Sequence, residues 1–352
     1  MKTIVLTGGG TGGHVIPHLS ILPYIKKEFD NIYYIGSQNG IEKEIISRQT
    51  DIKYFEIPTV KFVRKLTPKN LLIPFKLLNS IKKTKKILKR LNPDAIFSKG
   101  GFVSVPVAIA GKSLKIPIIS HESDLSFGLA NKIIYKYCNK MCTTFEKTTQ
   151  NKKKCIHTGA PIRQKLFNGN KENGYKLTNI NKFRPTILFV GGSTGATTLN
   201  NIIYKTLPQL LKKYNVIHIV GKNKGNKNIV YENYAQLEFV ENIEDIFAIS
   251  DIIVSRAGSN AIYEFLALKK PMLLIPLPKE QSRGDQIENA EYFESFNIAK
   301  VLKQENLTQT TLIKEINNLF NNKEQIISNM LNIKLKNGNE EIFKTIKKYT
   351  KR

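Results

Sequence analysis

Short, continuous apolar runs recur along the chain, each closed by Gly, Ser or another turn residue and followed by an amphipathic stretch. Residues 3–7, 32–35, 95–98, 116–120, 186–190, 216–220, 252–255 and 272–276 predict strands. Runs without polar alternation fit strands covered on both faces, and their alternation with helical stretches fits βαβ units. The rhythm restarts part-way. TIVLTGGG opens the first half at residue 3 and TILFVGGS the second at residue 186. The pattern predicts an α/β protein of two Rossmann-like, doubly wound parallel-sheet domains, residues 1–162 and 163–337, with a C-terminal helix at about 338–352 returning to the first. Residues 168–184, rich in Asn, Lys and Gly without apolar periodicity, read as a surface loop.

Three glycine turns follow strands. Gly8, Gly10 and Gly13 satisfy G-x-G-x-x-G directly after the first strand, where glycine lets backbone N–H groups approach an oxyanion. A nicotinamide dinucleotide would also call for an acid about 20 residues on, at the end of the second strand. That strand ends in Gly36-Ser37, so a dinucleotide is not expected. The second turn, GGSTGA from Gly191, leads into a helix starting near Thr197. The third, SRAGSNAIYE from Ser255, reads as a strand end, a turn, and a helix capped by Ser259 with Glu264 about one turn in. A carboxylate there is placed to accept ribose hydroxyls, though it also fits an ordinary helix surface. The chain has no Asp-x-Asp. A diphosphate is therefore expected to be neutralised by amides and helix dipoles, with no metal and no other cofactor.

Charge narrows the partners. The 352 residues carry 55 Lys and Arg against 28 Asp and Glu, a net +27, which points to anionic partners. Residues 61–90 alone hold 11 basic side chains and no acid, interleaved with apolar ones. A helix from about Pro74 would present Leu72, Ile73 and Phe75 with Lys76, Lys82 and Lys83 to an anionic membrane surface; the competing reading is a solvated helix with a core-facing stripe. No nucleic-acid-binding motif accompanies the charge, so nucleic acid is not expected. No segment approaches the roughly 18 uninterrupted apolar residues of a membrane span, and the first residues lack a signal-peptide core. Three cysteines, Cys138, Cys142 and Cys155, do not suit a disulfide framework and suggest a reducing cytosol.

TGGGTGGHVIP, SKGGFVSVP, PIISHESD, TGAPIR, VGGSTGA, SRAGSNAIYE and GDQIENA occur in this order between residues 7 and 290. Together they resemble the UDP-N-acetylglucosamine transferases of peptidoglycan synthesis in glycosyltransferase family 28. The resemblance implies a GT-B fold with the active site in the interdomain cleft. It also implies inverting transfer of N-acetylglucosamine to lipid I, giving lipid II at the cytoplasmic face of the cell membrane. The positions it marks for binding UDP-N-acetylglucosamine are Thr11, Gly12, Gly13, Arg163, Ser193, Val240, Ser259, Asn260, Ala261, Ile262, Tyr263, Glu264 and Gln286, while the glycine turn around the first three also faces the acceptor. Glu264 would take the ribose and Gln286 would lie near the sugar hydroxyls. Asp124 stands where many relatives carry Asn, which leaves direct sugar contact there open.

The transfer needs a base for the acceptor hydroxyl. His14, beside the first turn, fits that role or that of a donor to the acceptor's pyrophosphate; Glu122 is the rival base. His218, mid-strand in an apolar run, reads as a core residue. Other readings are a glycolipid glycosyltransferase, a UDP-N-acetylglucosamine 2-epimerase, or a non-catalytic binding module for a nucleotide sugar or anionic lipid.

Overall fold

The computed structural model describes residues 1–59, 73–191 and 196–350. Leu72 and Ser193 lie outside the described residues. The chain forms two compact units: Met1–Ile162 with Lys336–Arg352, and Arg163–Leu335.

The first unit holds a parallel sheet of β1 (Thr3–Thr7), β2 (Asn31–Ser37), β3 (Ile52–Ile57), β4 (Ala95–Ser98), β5 (Ile118–Glu122), β6 (Lys140–Thr143) and β7 (Cys155–His157), in the order β3-β2-β1-β4-β5-β6-β7. Successive residues of β1 feed opposite faces. Ile4 and Leu6 join one core with Tyr34 and Phe97, while Val5 joins another with Ile96 and Ile118. The helix Gly338–Tyr349 completes the first of these cores with Ile342 and Ile346, both fully buried. Asn339 Nδ2 donates to Ile162 O at 2.6 Å and fixes this helix at the unit's last strand connection.

The second unit holds β8 (Thr186–Val190), β9 (Asn215–Ile219), β10 (Tyr234–Leu237), β11 (Ile252–Ser255), β12 (Met272–Leu274) and β13 (Ala299–Val301), ordered β10-β9-β8-β11-β12-β13 and again all parallel. In both sheets the strand order reverses next to the opening strand, between β1 and β4 and between β8 and β11. Ligands of open parallel sheets bind beyond the carboxyl ends of strands at such a reversal.

The strands predicted from continuous apolar runs are all present, with ends shifted by up to two residues. Five more strands were not foreseen: β3, β6, β7, β10 and β13. Four of these are sheet edges with partly exposed residues, so they lack the uninterrupted apolar signature. Residues 168–184 are not simply a loop. They contain the helix Lys171–Thr178, whose cap Asn170 accepts from Asn173 N at 3.1 Å. Gly174 faces Asp245 O so closely that a Cβ would come within 2.5 Å, and Asn170 N donates to Asp245 Oδ1 at 2.7 Å. Close backbone packing, made possible by glycine, holds this helix where apolar periodicity gave no signal.

The basic helix runs Ile73–Leu91. Ile73 is buried, which corrects the expectation that it faces outward. Phe75 and Leu78 are 71% and 63% exposed, and Lys76, Lys82 and Lys83 are exposed with them. The opposite face packs on the core through Leu77, Ile81 and Leu88. Spacings of three and four residues put Phe75, Leu78, Lys82 and Lys86 on one stripe.

Candidate active site

In the first unit, three turns gather at the carboxyl ends of β1, β4 and β5. The turn after β1 has Gly10 at φ +90°, then a 3₁₀ turn Gly12–His14. It packs on the turn after β4: a Cβ on Gly101 would lie 2.2 Å from Gly9 O. Thr11 and Gly13 are exposed, Gly12 is buried, and His14 is half-buried with Nδ1 3.1 Å from Thr11 Oγ1. If Nδ1–H donates to Thr11, Nε2 carries the lone pair.

Glu42 holds this turn from behind. Its Oε2 accepts from Gly10 N at 3.2 Å, and its Oε1 accepts from Ser37 N at 3.1 Å and from the Ser37 hydroxyl. The dinucleotide test sought an acid at the strand's end, and Glu42 lies five residues beyond Ser37. A carboxylate committed to backbone amides organises the loop and is not available for a ribose.

Glu122 has the same character. It is 4% exposed; Oε1 accepts from Asp124 N, and Oε2 from Gly128 N and Asn131 Nδ2, all at 3.0 Å. Burial and the neighbouring Asp124 push its carboxyl up. Three donors make it the anchor of residues 123–128, a geometry unlike that of a base facing a substrate hydroxyl. Asp124 is half-buried on that loop.

Two buried histidines support the site. His18 Nε2 donates to Thr7 O at 3.1 Å, and its ring meets Tyr34 and Phe97 edge-on. His121 is fully buried beside Lys99. Burial pulls His18 down to about 3, and pulls His121 well below the usual imidazole range. In the second unit His218 is a core residue, between Tyr234 Oη and Asn200 Oδ1 at 3.1 Å each, and burial lowers it to about 3.

These rings are neutral in the folded chain, whereas an unfolded histidine takes a proton below about pH 6.5. Their contribution is thus full above pH 6.5 and declines as pH falls toward 3. The urea midpoint is expected to drop between pH 6.5 and 5, above most carboxylate titrations. A flat midpoint over that window would contradict neutral buried rings.

In the second unit the site forms beyond β8 and β11, whose ends are tied by Ser255 Oγ donating to Val190 O at 2.9 Å. The helix Ser259–Ala267 starts here. Its cap is Gly258, with Ser259 its first residue, so Ser259 does not cap it as expected. Ser259 is buried, and Asn260 and Ala261 are half-buried in the first turn. Ile262 is fully buried and Tyr263 packs edge-on to Phe293, so these two side chains belong to the core.

Glu264 is paired with Arg163 in a fork: Nε donates to Oε1 and Nη2 to Oε2, both at 2.8 Å. A carboxylate has about four lone-pair sites, so this fork leaves two for other donors while fixing the plane of the group. Sequence spacing gave no sign of a pair 101 residues apart. Gln286, in the first turn of Asp285–Glu294, accepts from Leu277 N at 3.1 Å, and Asn289 Nδ2 donates to Ala257 O at 3.4 Å. That helix is thereby held to the turn before Ser259. Val240 is half-buried beyond the end of β10.

Residues 4–143 match the glycosyltransferase family 28 N-terminal domain and residues 186–347 its C-terminal domain. The chain belongs to glycosyltransferase family 28. It is 48% identical, over the full length of both chains, to the UDP-N-acetylglucosamine--N-acetylmuramyl-(pentapeptide) pyrophosphoryl-undecaprenol N-acetylglucosamine transferase of Clostridium botulinum strain Hall. The protein of the same name from Clostridium tetani is 47% identical over 99% of this chain and 98% of its own. Among solved structures, MurG of Acinetobacter baumannii superposes with a TM-score of 0.75 at 22% identity, covering 99% of this chain and 100% of that one. A UDP-GlcNAc 2-epimerase from Neisseria meningitidis reaches 0.69 at 15% identity, with coverage of 99% and 100%. Both share the GT-B fold of this family 28 chain.

Proposed function

We propose that this chain transfers N-acetylglucosamine from UDP-N-acetylglucosamine to undecaprenyl-pyrophosphoryl-N-acetylmuramoyl-pentapeptide (lipid I), with inversion, giving lipid II of peptidoglycan. The observation that carries this is 48% identity, covering 100% of both chains, to a transferase named for that reaction.

The roles follow from the chemistry of each unit. In the second unit, Glu264, held by Arg163, accepts the ribose hydroxyls. The first turn Ser259–Ala261 supplies amides to the diphosphate, where a helix N-terminus stabilises the leaving charge, and Ser193 is assigned to the same diphosphate from the sequence alone. Gln286 addresses the sugar hydroxyls and Val240 the uracil through its backbone. Ile262 and Tyr263 serve only as the packing that fixes this helix. In the first unit, Thr11, Gly12 and Gly13 face the acceptor, and His14 Nε2 takes the proton of the attacking hydroxyl. Asp124, half-buried on the loop anchored by Glu122, is offered as a contact for the transferred sugar.

The direct test is incubation with labelled UDP-N-acetylglucosamine and a short-chain lipid I analogue. Label in a disaccharide product supports the reading. Epimerised sugar without transfer, or UDP binding without turnover on this acceptor, refutes it.

No helix among the described residues is long and apolar enough to cross a membrane. We propose instead peripheral docking on the cytoplasmic membrane face through the exposed side chains of the basic helix, Phe75, Leu78, Lys76, Lys82 and Lys83. Each basic residue near an anionic surface contributes about 1 kcal/mol at moderate salt. Flotation with phosphatidylglycerol vesicles should exceed that with phosphatidylcholine. The Lys82→Glu/Lys83→Glu double variant should lose about tenfold or more of that binding. Equal recovery on both vesicles would contradict an electrostatic dock.

A further inference from the structure

Lys99 has no part in the chemistry above, yet it lies at the centre of the first unit's candidate site. It directly follows β4, and its N–H donates to Thr7 O at 2.9 Å, joining β4 to the end of β1 where the strand order reverses. A Cβ on Gly8 would lie 3.3 Å from the Cβ of Lys99. The side chain is 1% exposed, and Nζ donates to His121 Nδ1 at 2.6 Å and to Ser123 Oγ at 2.7 Å. One residue thus touches all three turns: it adjoins the first by backbone and Cβ, begins the second, and reaches the third through Nζ.

A buried lysine is costly unless its charge is matched. The groups facing it are His121 and Glu122 of β5, Asp124 of the following loop, Cys142 of β6 and His18 of the helix Ile16–Ile25. Both histidines are neutral, burial raises Cys142 to about 12, and Glu122 is committed to its loop. Burial pulls Lys99 down to about 7, against the opposing pull of Glu122 and Asp124. A site with this balance is sensitive to one more negative charge arriving over the turns.

Resting on the reading of the first unit as the acceptor's half, we propose that Lys99 is the protonatable floor of the pyrophosphate site, taking up a proton from solvent when the acceptor's pyrophosphate docks. The anion stabilises the ammonium, and by linkage the ammonium strengthens anion binding. Lys99 is a positioning residue: it acts through Ser123 and the turns without touching the reacting atoms.

Calorimetric titration with a short-chain prenyl-pyrophosphoryl-N-acetylmuramoyl-pentapeptide tests this at pH 8, in buffers of different ionisation enthalpy. A disubstituted pyrophosphate holds no titrating proton there, so uptake belongs to the protein. Uptake approaching one proton is expected for the parent and for His14→Gln. Lys99→Met should bind more weakly without uptake. Lys99→Arg, always charged, should bind without uptake and guards against a misfolded Met variant. Binding by the parent without uptake overturns the proposal, as does uptake that disappears in His14→Gln and persists in Lys99→Met. The two readings fail separately: proton-linked binding without sugar transfer leaves Lys99 in place and removes the transferase, whereas transfer without uptake removes only the role of Lys99.

Discussion

His14→Ala is expected to lower kcat for sugar transfer by about 10²–10⁴, the range for loss of a positioned general base. The acceptor hydroxyl is a poor nucleophile until its proton leaves. The ring sits one residue past the glycine turn, with Nδ1 3.1 Å from Thr11 Oγ1; when Nδ1–H donates there, Nε2 is the basic nitrogen. His14→Gln separates two chemistries. Glutamine can still donate to a pyrophosphate and cannot carry the proton away. If both variants lose activity alike, the base role stands. Near-parent kcat in the glutamine variant would make His14 an anion donor, and near-parent kcat in both would remove it from the reaction.

Glu264→Ala is expected to reduce kcat/KM for UDP-N-acetylglucosamine by about 10²–10³ while leaving acceptor KM close to the parent's. Two charge-assisted hydrogen bonds to ribose hydroxyls are lost, each worth about 1.5–3 kcal/mol, with part of that loss offset by water entering the site. The variant also strands the guanidinium of Arg163, whose fork is 2.8 Å on both arms. Arg163→Ala should therefore impair the donor as well, and the double variant should fall well short of the summed losses because the two act as one unit. Steady-state kinetics with UDP-N-acetylglucosamine as varied substrate decides this. A donor KM unchanged in Glu264→Ala would exclude the ribose role.

The central strands and the glycine turns were legible because their signals are local. Residues 3–7 and 186–190 are continuous apolar runs, and their burial on both faces is what such runs encode. The edge strands were not legible. β7, partly exposed along its whole length, owes its conformation to pairing with β6 rather than to its own composition. The helix Lys171–Thr178 was hidden for a related reason, since a close glycine contact with Asp245 holds it instead of an apolar stripe.

At the candidate site, sequence pattern singled out His14 and Glu264 for the proposed roles, because each follows a strand end and a turn at fixed spacing. It did not separate Glu122 from a base, since burial and three backbone or amide donors are properties of the folded loop. Likewise Ile73 read as membrane-facing from its neighbours, while its actual direction was set by packing.

The sequence alone determined the class of fold, the glycine turns after the strands, the lack of an Asp-x-Asp pair, and the family. These follow from short-range patterns that any local conformation preserves. Only the tertiary structure decided that Arg163 holds Glu264, that Glu42 braces the first turn, and that Lys99 lies buried where three turns converge. Those facts join residues far apart in the chain, and their charges and hydrogen bonds acquire direction only when strand order and packing bring them together and exclude water.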